Sequence, residues 1–519
     1  MNDKKTGPGR ILIVGGGTAG WMSAILMAHA WGGRGSEISL LESSDIGIIG
    51  VGEGSTPKMH KFFDRIGVPE SEWMTACNAT YKCGIRFPAW STRKGYRSYY
   101  HPFFSISDDA TIRAFAENVA VRRENYDVHA HPDAFFVSNY LAQQKRAPTP
   151  DPAFEYQTDY AYHFDSGMIG RFLKEKCLAL GVKHLVDTVT EVSRHENGDV
   201  AGVRTEKFGL LEADLFVDCT GFAAVLTSKT LGVPFLSYAD SLFNDRAVAM
   251  PTPLDEGALP SQTISGALKY GWAWKIPLTN RFGNGYVFSS RFVSEDDAEL
   301  ELREHLGLVD ADVEARHLKM RIGRAASSWN RNTLAVGLSQ GFIEPLEATA
   351  LMIVQETVEN FIERFEAGGF TPQYRDEFNT KINLIFDSIR DYVFMHFKLN
   401  SRNDTDYWIE CRENEHASES VRQILDIWYG GGDLLGELRR QGPRLAYSPT
   451  SWFCILAGMG QFPRKPKKLK RKINAHDPAE IRRYCEKIIR NFPDHRPGSN
   501  HARWPALRVN GCGSSLPVD

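Results

Sequence analysis

The first 45 residues show a pattern of apolar runs and glycines that predicts a strand, a tight turn, a helix and a second strand. Residues 10–14 are a continuous aliphatic run, which is typical of a strand buried on both faces. Glycine-rich residues 15–20 follow, and residues 21–27 are helix-like and apolar. A second apolar run at residues 37–41 predicts another strand, which ends at Glu42.

Further apolar patterns extend along the chain. Residues 210–221 and 333–341 each read as a buried strand that ends in a polar, glycine-containing turn. Residues 81–87 alternate with period two, so we expect Lys82, Gly84 and Arg86 on one face of a strand. Residues 270–277 alternate likewise and place Trp272 and Trp274 on one side. From Leu346 onward apolar residues at helical spacing predict a long amphipathic helix.

The glycine-rich turn predicts a dinucleotide site. A G-x-G-x-x-G pattern between a buried strand and a helix lets the backbone approach a pyrophosphate at the helix N-terminus. An acid about 20 residues further on suits the ribose hydroxyls, and Glu42 has that position. The motif alone does not distinguish FAD from NAD, but the two later strand–turn elements favour the longer FAD. The residues concerned are Gly15, Gly16, Gly17, Thr18, Ala19, Gly20 and Glu42.

Composition excludes several classes of protein. Hydrophobic residues are 42% and charged residues 24% of the 519, as in average globular proteins. The 61 basic and 64 acidic residues nearly balance, so no net field favours nucleic acid. Eight cysteines without a CxxC pair indicate free thiols in a reducing cytoplasm. We find no signal-peptide core at the start, no membrane span and no metal-ligand pattern. The basic run at residues 464–472 is typical of a solvated loop or, alternatively, of a contact for an anionic partner.

Several motifs together resemble the flavin-dependent halogenases, in particular the tryptophan-halogenase branch. The resemblance extends from Ile11 to about Pro463. It implies an α/β fold: a Rossmann-type FAD-binding, monooxygenase-like module packed against a largely helical substrate-binding region. The motifs are the glycine turn with Trp21, Val51-Gly52-Glu53 with Pro57, Tyr81-Lys82, Trp272-Ala273-Trp274-Lys275-Ile276-Pro277, and Glu344-Pro345-Leu346-Glu347-Ala348-Thr349.

The resemblance also implies the chemistry. A separate NAD(P)H-dependent flavin reductase supplies reduced FAD, which with dioxygen converts halide to hypohalous acid. The acid travels through an internal tunnel to a lysine, matched by Lys82, beside the aromatic substrate. That lysine either hydrogen-bonds the acid or forms a haloamine, and the two remain open. The partner glutamate matches Glu347, which would stabilise the cationic ring and take its proton.

Other positions are assigned by the same resemblance. Trp272 and Trp274 would keep organic substrate away from the flavin. Thr349 and Ala350 match a halide site built from backbone amides, although the family usually has Ser-Thr-Gly where this chain has Ala-Thr-Ala. We expect bromide to be favoured and leave chloride open. The remaining positions matched to the flavin site are Glu53, Val189, Leu338 and Leu351.

The predicted substrate is a small indole. His101 and Phe103 match residues that pack on the indole ring. Tryptophan halogenases carry two tyrosines and a glutamate where this chain has Trp452, Phe453 and Met459. Burying the charged groups of an amino acid against apolar partners is costly, so free tryptophan should be a poor substrate. Free indole should react at position 3, its most nucleophilic carbon.

Two other reaction classes and the domain plan complete the analysis. The alternatives are an FAD-dependent aromatic hydroxylase, which would need neither Lys82 nor the two tryptophans, and a non-catalytic flavin-binding module. A homodimer is plausible from the family. We divide the chain, with soft boundaries, into residues 1–100 (first part of the FAD module), 101–180 (substrate-side insertion), 181–370 (remainder of the FAD module) and 371–519 (helical substrate-side region).

Overall fold

A computed structural model describes residues 7–44, 52–462 and 475–496. Val51 and the basic run at residues 464–472 lie outside these residues. The strands of the described residues are β1 (Arg10–Val14), β2 (Glu37–Glu42), β3 (Gly52–Gly54), β4 (Thr80–Lys82), β5 (Gly84–Pro88), β6 (Ser98–Pro102), β7 (Ala161–Asp165), β8 (Lys183–Val186), β9 (Val189–Arg194), β10 (Val200–Thr205), β11 (Gly209–Leu211), β12 (Leu215–Asp218), β13 (Phe235–Ser237), β14 (Arg246–Thr252), β15 (Thr263–Ala267), β16 (Gly271–Pro277), β17 (Phe282–Phe288), β18 (Arg316–Lys319), β19 (Gly323–Ala325), β20 (Trp329–Asn330), β21 (Thr333–Ala335) and β22 (Gly341–Phe342).

Helices dominate the last third of the described chain. The α-helices are α1 (Thr18–Trp31), α2 (Lys58–Arg65), α3 (Glu70–Ala76), α4 (Asp109–Arg123), α5 (Val137–Gln143), α6 (Ser166–Ala179), α7 (Glu295–Leu306), α8 (Ala350–Ala367), α9 (Arg375–Lys398), α10 (Asp406–Glu413), α11 (Glu419–Gly430), α12 (Leu434–Gln441), α13 (Pro449–Gly458) and α14 (Pro478–Ile488).

A six-stranded sheet gathers the predicted nucleotide-binding elements. Its order is β20-β21-β12-β1-β2-β8, and β21, β12, β1, β2 and β8 pair in parallel. The apolar run of β1 is buried between its two neighbours, as predicted. Since parallel strands share one carboxyl edge, the turns after β1, β12 and β21 meet there, beside Glu42. The expected mixed α/β architecture is therefore present.

Two further sheets carry the remaining motifs. A seven-stranded sheet in the order β18-β14-β17-β16-β15-β5-β6 contains β16, the strand with both predicted tryptophans. A small sheet in the order β3-β7-β4 ends in β4, the strand of Lys82. β4 is paired only with β7 and is an edge strand of this sheet.

The sequence expectation for residues 81–87 is wrong, because this run is not one strand. Lys82 ends β4, whereas Gly84 and Arg86 belong to β5 in the seven-stranded sheet. The chain passes between the sheets at Cys83, whose N–H donates to the Ser261 carbonyl at 2.7 Å. The four hydrophobic residues that alternate with these positions are all buried, so the alternation does not identify a face exposed to solvent.

Two other predicted elements begin or divide differently. Residues 210–221 belong to two strands, because β11 pairs with β10 in a separate antiparallel sheet before the chain enters β12. The long helix starts at Ala350 and not at Leu346, since residues 345–347 form a 3₁₀ turn and Ala348 adopts a left-handed backbone with φ of 56°. This turn separates Glu347 from the helix.

One large buried core connects the elements. Its members come from all four predicted segments, for example Ile11, Phe115, Leu215 and Phe397. Seven cysteines of the described chain are free thiols, as predicted for them. Within the same residues, no helix combines the length and the hydropathy that crossing a bilayer requires.

Candidate active site

The glycine-rich turn after β1 is shaped to admit a ligand. Gly15 has a φ of 118°, and a Cβ at this position would overlap the Cys219 carbonyl after β12. α1 begins at Thr18 with Gly17 as N-cap, and no side chain caps it. A Cβ built at Gly17 has no atom within 4 Å. Free helix N–H groups facing open space fit the pyrophosphate of a dinucleotide.

Glu42 lies directly against this turn. A Cβ at Gly16 would overlap its carboxylate, so only glycine allows the close approach. The Glu42 Oε1 atom accepts from His184 Nε2 at 2.6 Å and from Lys174 Nζ at 3.3 Å. These partners hold the carboxylate at the end of β2, where a ribose would lie. The geometry therefore fits a dinucleotide.

The other residues matched to the flavin site are dispersed. Leu338 follows Gly337, and a Cβ built at Gly337 would lie 2.7 Å from the Cβ of Ala19 in the first turn of α1. Leu351 is buried in the first turn of α8, and Val189 begins β9 in the separate three-stranded sheet. Glu53 lies on β3, where desolvation raises its pKa to about 7 against a hydrogen bond from Ser166 that lowers it. Leu338 is thus next to a residue that packs on the glycine motif.

Lys82 is a fully buried lysine at the end of β4. Its side chain has 0% exposure, and Nζ donates to the Ser55 carbonyl at 3.0 Å. The Phe103 ring lies 5.4 Å from Nζ. Burial disfavours the ammonium and lowers the pKa of Lys82 to about 7, while the attraction of Glu347 acts in the opposite direction. Near neutral pH the residue therefore has both a charged and a neutral amine form.

Glu347 is a buried carboxylate held between two histidines. His101 Nδ1 lies 3.0 Å from Oε2, and His396 Nε2 lies 3.2 Å from Oε1. Burial alone would raise the pKa of Glu347, but the attraction of His101 and the hydrogen bonds from both histidines outweigh it and lower the pKa to about 2. The carboxylate is therefore ionised at any ordinary pH.

Gly54 brings the lysine and the segment of the glutamate together. A Cβ at Gly54 would lie 3.2 Å from Lys82 Nζ and 3.4 Å from the Cβ of Ala348, the residue after Glu347. A buried amine thus lies near the segment that carries an ionised carboxylate, although the two elements are more than 250 residues apart in sequence, and the charge of Glu347 acts on the pKa of Lys82. General acid–base and electrostatic chemistry on a shared substrate needs such a pair.

The start of α8 presents free backbone donors next to this pair. Thr349 is its N-cap and makes no side-chain capping bond, so the first N–H groups of the helix lack that partner. Thr349 is 3% exposed, and Ala350 is the first helical residue. The positive end of an 18-residue helix favours an anion.

Comparison with known proteins identifies the family. The model of the tryptophan halogenase family matches residues 10–475. The tryptophan 6-halogenase SttH of Streptomyces toxytricini is 41% identical over 444 residues, which are 81% of this chain and 84% of that protein. The chain belongs to the tryptophan halogenase family.

Solved structures agree with this assignment. Tar14, a tryptophan C-6 flavin-dependent halogenase (chlorinase) from taromycin biosynthesis, is 34% identical with a TM-score of 0.81, covering 94% of this chain and 98% of that one. BrvH, a flavin-dependent halogenase from Brevundimonas sp. BAL3, is 30% identical with a TM-score of 0.80, covering 94% and 97%. The chain is thus an enzyme, a flavin-dependent halogenase, and nothing in these relatives supports the hydroxylase alternative.

The two predicted tryptophans of the halogenase share one side of β16. Their rings are 6.2 Å apart, as the period-two pattern predicted. Trp272 Nε1 donates to Glu344 Oε2 at 2.8 Å, and Asn244 Nδ2 donates to the same oxygen at 2.8 Å. The Trp274 ring lies over Gly285, where any Cβ would overlap it. Glu344 therefore ties the tryptophan strand to the segment that carries Glu347.

The predicted substrate residues differ in their nearest contacts. His101 and Phe103 flank Glu347 and Lys82 respectively. Trp452 is fully buried and packs edge-on against Tyr392, whose ring is 5.6 Å from His101. Phe453 packs against Trp428 at 6.3 Å between ring centroids. The structure thus links Trp452 to the site through one intervening ring.

Several residues of the site escape sequence reasoning. His101 is more than a ring surface, because its Nε2 contacts the Ser451 hydroxyl at 3.0 Å while Nδ1 contacts Glu347. His396 was not predicted, although Tyr392 and His396 have the i, i+4 spacing that places both on one face of a helix. Glu344 is part of a family motif, and nothing in the neighbouring sequence indicates that its side chain is buried.

Proposed function

We propose that this halogenase uses Lys82 to hold hypohalous acid beside an aromatic ring and Glu347 to receive the ring proton. The approach of the Lys82 amine to the segment of Glu347 across Gly54 carries this proposal. Bound reduced FAD with dioxygen would supply the oxidation of halide. Glycines of the first turn would hold its pyrophosphate and Glu42 its ribose.

The two site residues divide the substitution between them. Lys82 donates a hydrogen bond to the oxygen of the acid, or reacts with it as the free amine, and both forms are accessible with a pKa of about 7. When Lys82 is charged, the ring carbon forms a bond to halogen as the halogen–oxygen bond breaks, and the oxygen takes a proton from the ammonium and leaves as water. When Lys82 is neutral, the amine first displaces the oxygen, which leaves as water with the amine proton, and the halogen–nitrogen bond then breaks as the carbon–halogen bond forms. In both cases the nitrogen regains a proton from solvent. The proton displaced from that carbon goes to Glu347. A carboxylate with a pKa of about 2 is a weak base, but the cationic ring is a far stronger acid, so a fixed negative charge suffices.

The proposed halide position is the first turn of α8. Thr349 and Ala350 would offer backbone N–H groups to the anion. Ala350 stands where the family usually has glycine and narrows the space around this turn. We propose bromide as the favoured halide because it is easier to oxidise. Chloride is the competing candidate, which the experiment below distinguishes.

The proposed substrate is free indole, substituted at position 3. Trp452, Phe453 and Met459 are all buried apolar residues, at 0%, 9% and 1% exposure. No carboxylate or ammonium among these three side chains pairs with the charged groups of an amino acid. SttH and Tar14 are named for tryptophan, so tryptophan is the substrate against which this proposal must be tested.

The test is an aerobic assay with FAD, NADH and a generic flavin reductase, with indole or tryptophan and bromide or chloride in separate reactions. Mass spectrometry detects the halogen isotope pattern, and Lys82→Ala serves as the inactive control. We expect 3-bromoindole as the main product. Tryptophan preferred over indole would refute the substrate proposal, and a product gaining oxygen without halogen would refute the reaction.

Glu347 is tested separately. Glu347→Gln keeps the shape and removes the charge, and we expect ring halogenation to fall by about 100-fold or more. Halide oxidation, followed with a 1,3-dione that traps hypohalous acid, should persist because it precedes the step at Glu347. A variant that halogenates normally would contradict the role given to the carboxylate. The reductase partner and a homodimer remain predictions from the family.

A further inference from the structure

Residues 475–496 lie almost entirely beyond the match to the family model, which ends at residue 475, yet they reach back to the lysine strand. α14 and the turn after it place Cys485, Ile489 and Phe492 in one buried cluster with Cys83, the neighbour of Lys82. This C-terminal segment is therefore part of the wall behind the lysine.

His495 is the residue of this segment that contacts β4 directly. Its side chain accepts the N–H of Tyr81 at Nε2, with 3.2 Å between the nitrogens. His495 is 3% exposed, and its own backbone is held on both sides: its N–H donates to the Lys145 carbonyl at 2.8 Å, and its carbonyl accepts from the Leu259 N–H at 2.7 Å. The imidazole is thus anchored by backbone bonds that do not involve β4.

The bond to His495 satisfies a backbone N–H of β4 that has no partner strand on that side. β4 is an edge strand, and Tyr81 is 3% exposed, so its N–H is shielded from water as well as from a second strand. A buried N–H needs an acceptor. A neutral imidazole whose proton is on Nδ1 offers the Nε2 lone pair for this purpose.

We propose that His495 is a positioning residue for Lys82, which it holds through the backbone of Tyr81. The proposal rests on the function assigned above to Lys82. The backbone atoms of Tyr81 directly precede Lys82, and the Lys82 Nζ atom donates to the Ser55 carbonyl. Loss of the acceptor frees the strand edge and lets the amine move away from the ring that it serves.

The variants are His495→Ala and His495→Gln in the full chain. Glutamine carries a carbonyl oxygen at about the reach of Nε2 and restores an acceptor, whereas alanine does not. The matched control is His476→Ala on the same segment, where the histidine is exposed and pairs with Glu117 at 2.7 Å. If the alanine variant does not fold, His495→Phe, a ring without an acceptor, replaces it.

Two measurements read the effect. Amide hydrogen exchange over residues 80–83, followed by mass spectrometry, reports the Tyr81 bond without any need for activity. The ratio of halogenated indole to hypohalous acid trapped by the 1,3-dione reports how well Lys82 uses the oxidant. We expect faster exchange and a ratio lowered on the order of tenfold in His495→Ala, with both values close to wild type in His495→Gln and His476→Ala.

Opposite results overturn the inference. Unchanged exchange in His495→Ala would show that His495 does not hold the Tyr81 N–H. A parallel fall of halide oxidation and product, or no recovery with glutamine, shows that His495 acts only on overall stability. If the exchange responds as expected but Lys82→Ala halogenates as well as wild type, the function proposed for Lys82 fails while the structural contact stands, so the two failures are distinguishable.

Discussion

Replacing Lys82 by methionine should stabilise the protein at and below neutral pH while it abolishes ring halogenation. The lysine side chain has 0% exposure, and burial lowers its pKa to about 7. Among the residues that the structure describes, its ammonium donates to the Ser55 carbonyl at 3.0 Å. Methionine has a similar length and no charge, so it fills the space without the desolvation that the lysine suffers.

The magnitude follows from linkage. An amine with a pKa of about 10.5 in the unfolded chain and about 7 in the fold costs about 5 kcal/mol of stability below pH 7. Methionine removes this cost and leaves the Ser55 carbonyl without its donor, at about 1.5 kcal/mol. The net gain is about 3 kcal/mol. Between pH 7 and 10.5 the unfolded wild type binds one proton more than the folded form, so its stability rises with pH and the gain falls to about zero near pH 9.5.

Urea unfolding at about pH 6 and about pH 9.5 measures this difference. Lys183→Met is the control, since Lys183 is 62% exposed and its pair with Glu37 contributes under about 1 kcal/mol. Its effect should be small at both pH values. A Lys82→Met protein that is no more stable than wild type at pH 6, or equally stabilised at pH 9.5, would refute the reasoning, because the ammonium would then be well accommodated in the fold.

Two further predictions concern contacts around the site. Trp272→Phe removes one of the two donors to Glu344 and should lower the free energy of unfolding, measured in urea, by about 1–3 kcal/mol. Trp274→Phe is the control, because Trp274 Nε1 has no hydrogen-bond partner in the described structure. Equal losses in the two variants would contradict the role of the bond. Gly54→Ala places a methyl group 3.2 Å from Lys82 Nζ and should lower the rate of indole halogenation at least about tenfold. The affinity for FAD, followed by flavin fluorescence, should be unchanged. Full activity would show that the lysine amine is not confined beside Gly54.

The elements nearest in sequence were predictable. β1, the glycine turn, α1 and Glu42 follow one another within 33 residues, and each depends on local rules: apolar runs for buried strands, missing Cβ atoms for the turn, and the parallel register that places β2 beside β1. The shared side of Trp272 and Trp274 follows from the period of a strand alone.

The resemblance to a family supplied the importance of Lys82 and Glu347, which periodicity alone does not distinguish from other lysines and glutamates. The break at Cys83 could not be read from the alternation of residues 81–87, because every hydrophobic position there is buried and both possible faces look alike. The turn at Ala348, which delays α8 to Ala350, is likewise invisible in an apolar pattern that continues through it.

By itself the sequence determined the strand–glycine turn–helix unit, the resemblance to the family and the positions of the two side chains proposed to react. Only the tertiary structure decided what surrounds those side chains: His101 and His396 on the carboxylate of Glu347, Ser55 on the amine of Lys82, and His495 on the lysine strand. The physical reason is the range of the forces involved. Steric and hydrogen-bonding preferences act between neighbours in the chain, whereas desolvation and pairing of buried charge depend on residues that folding brings together from far apart.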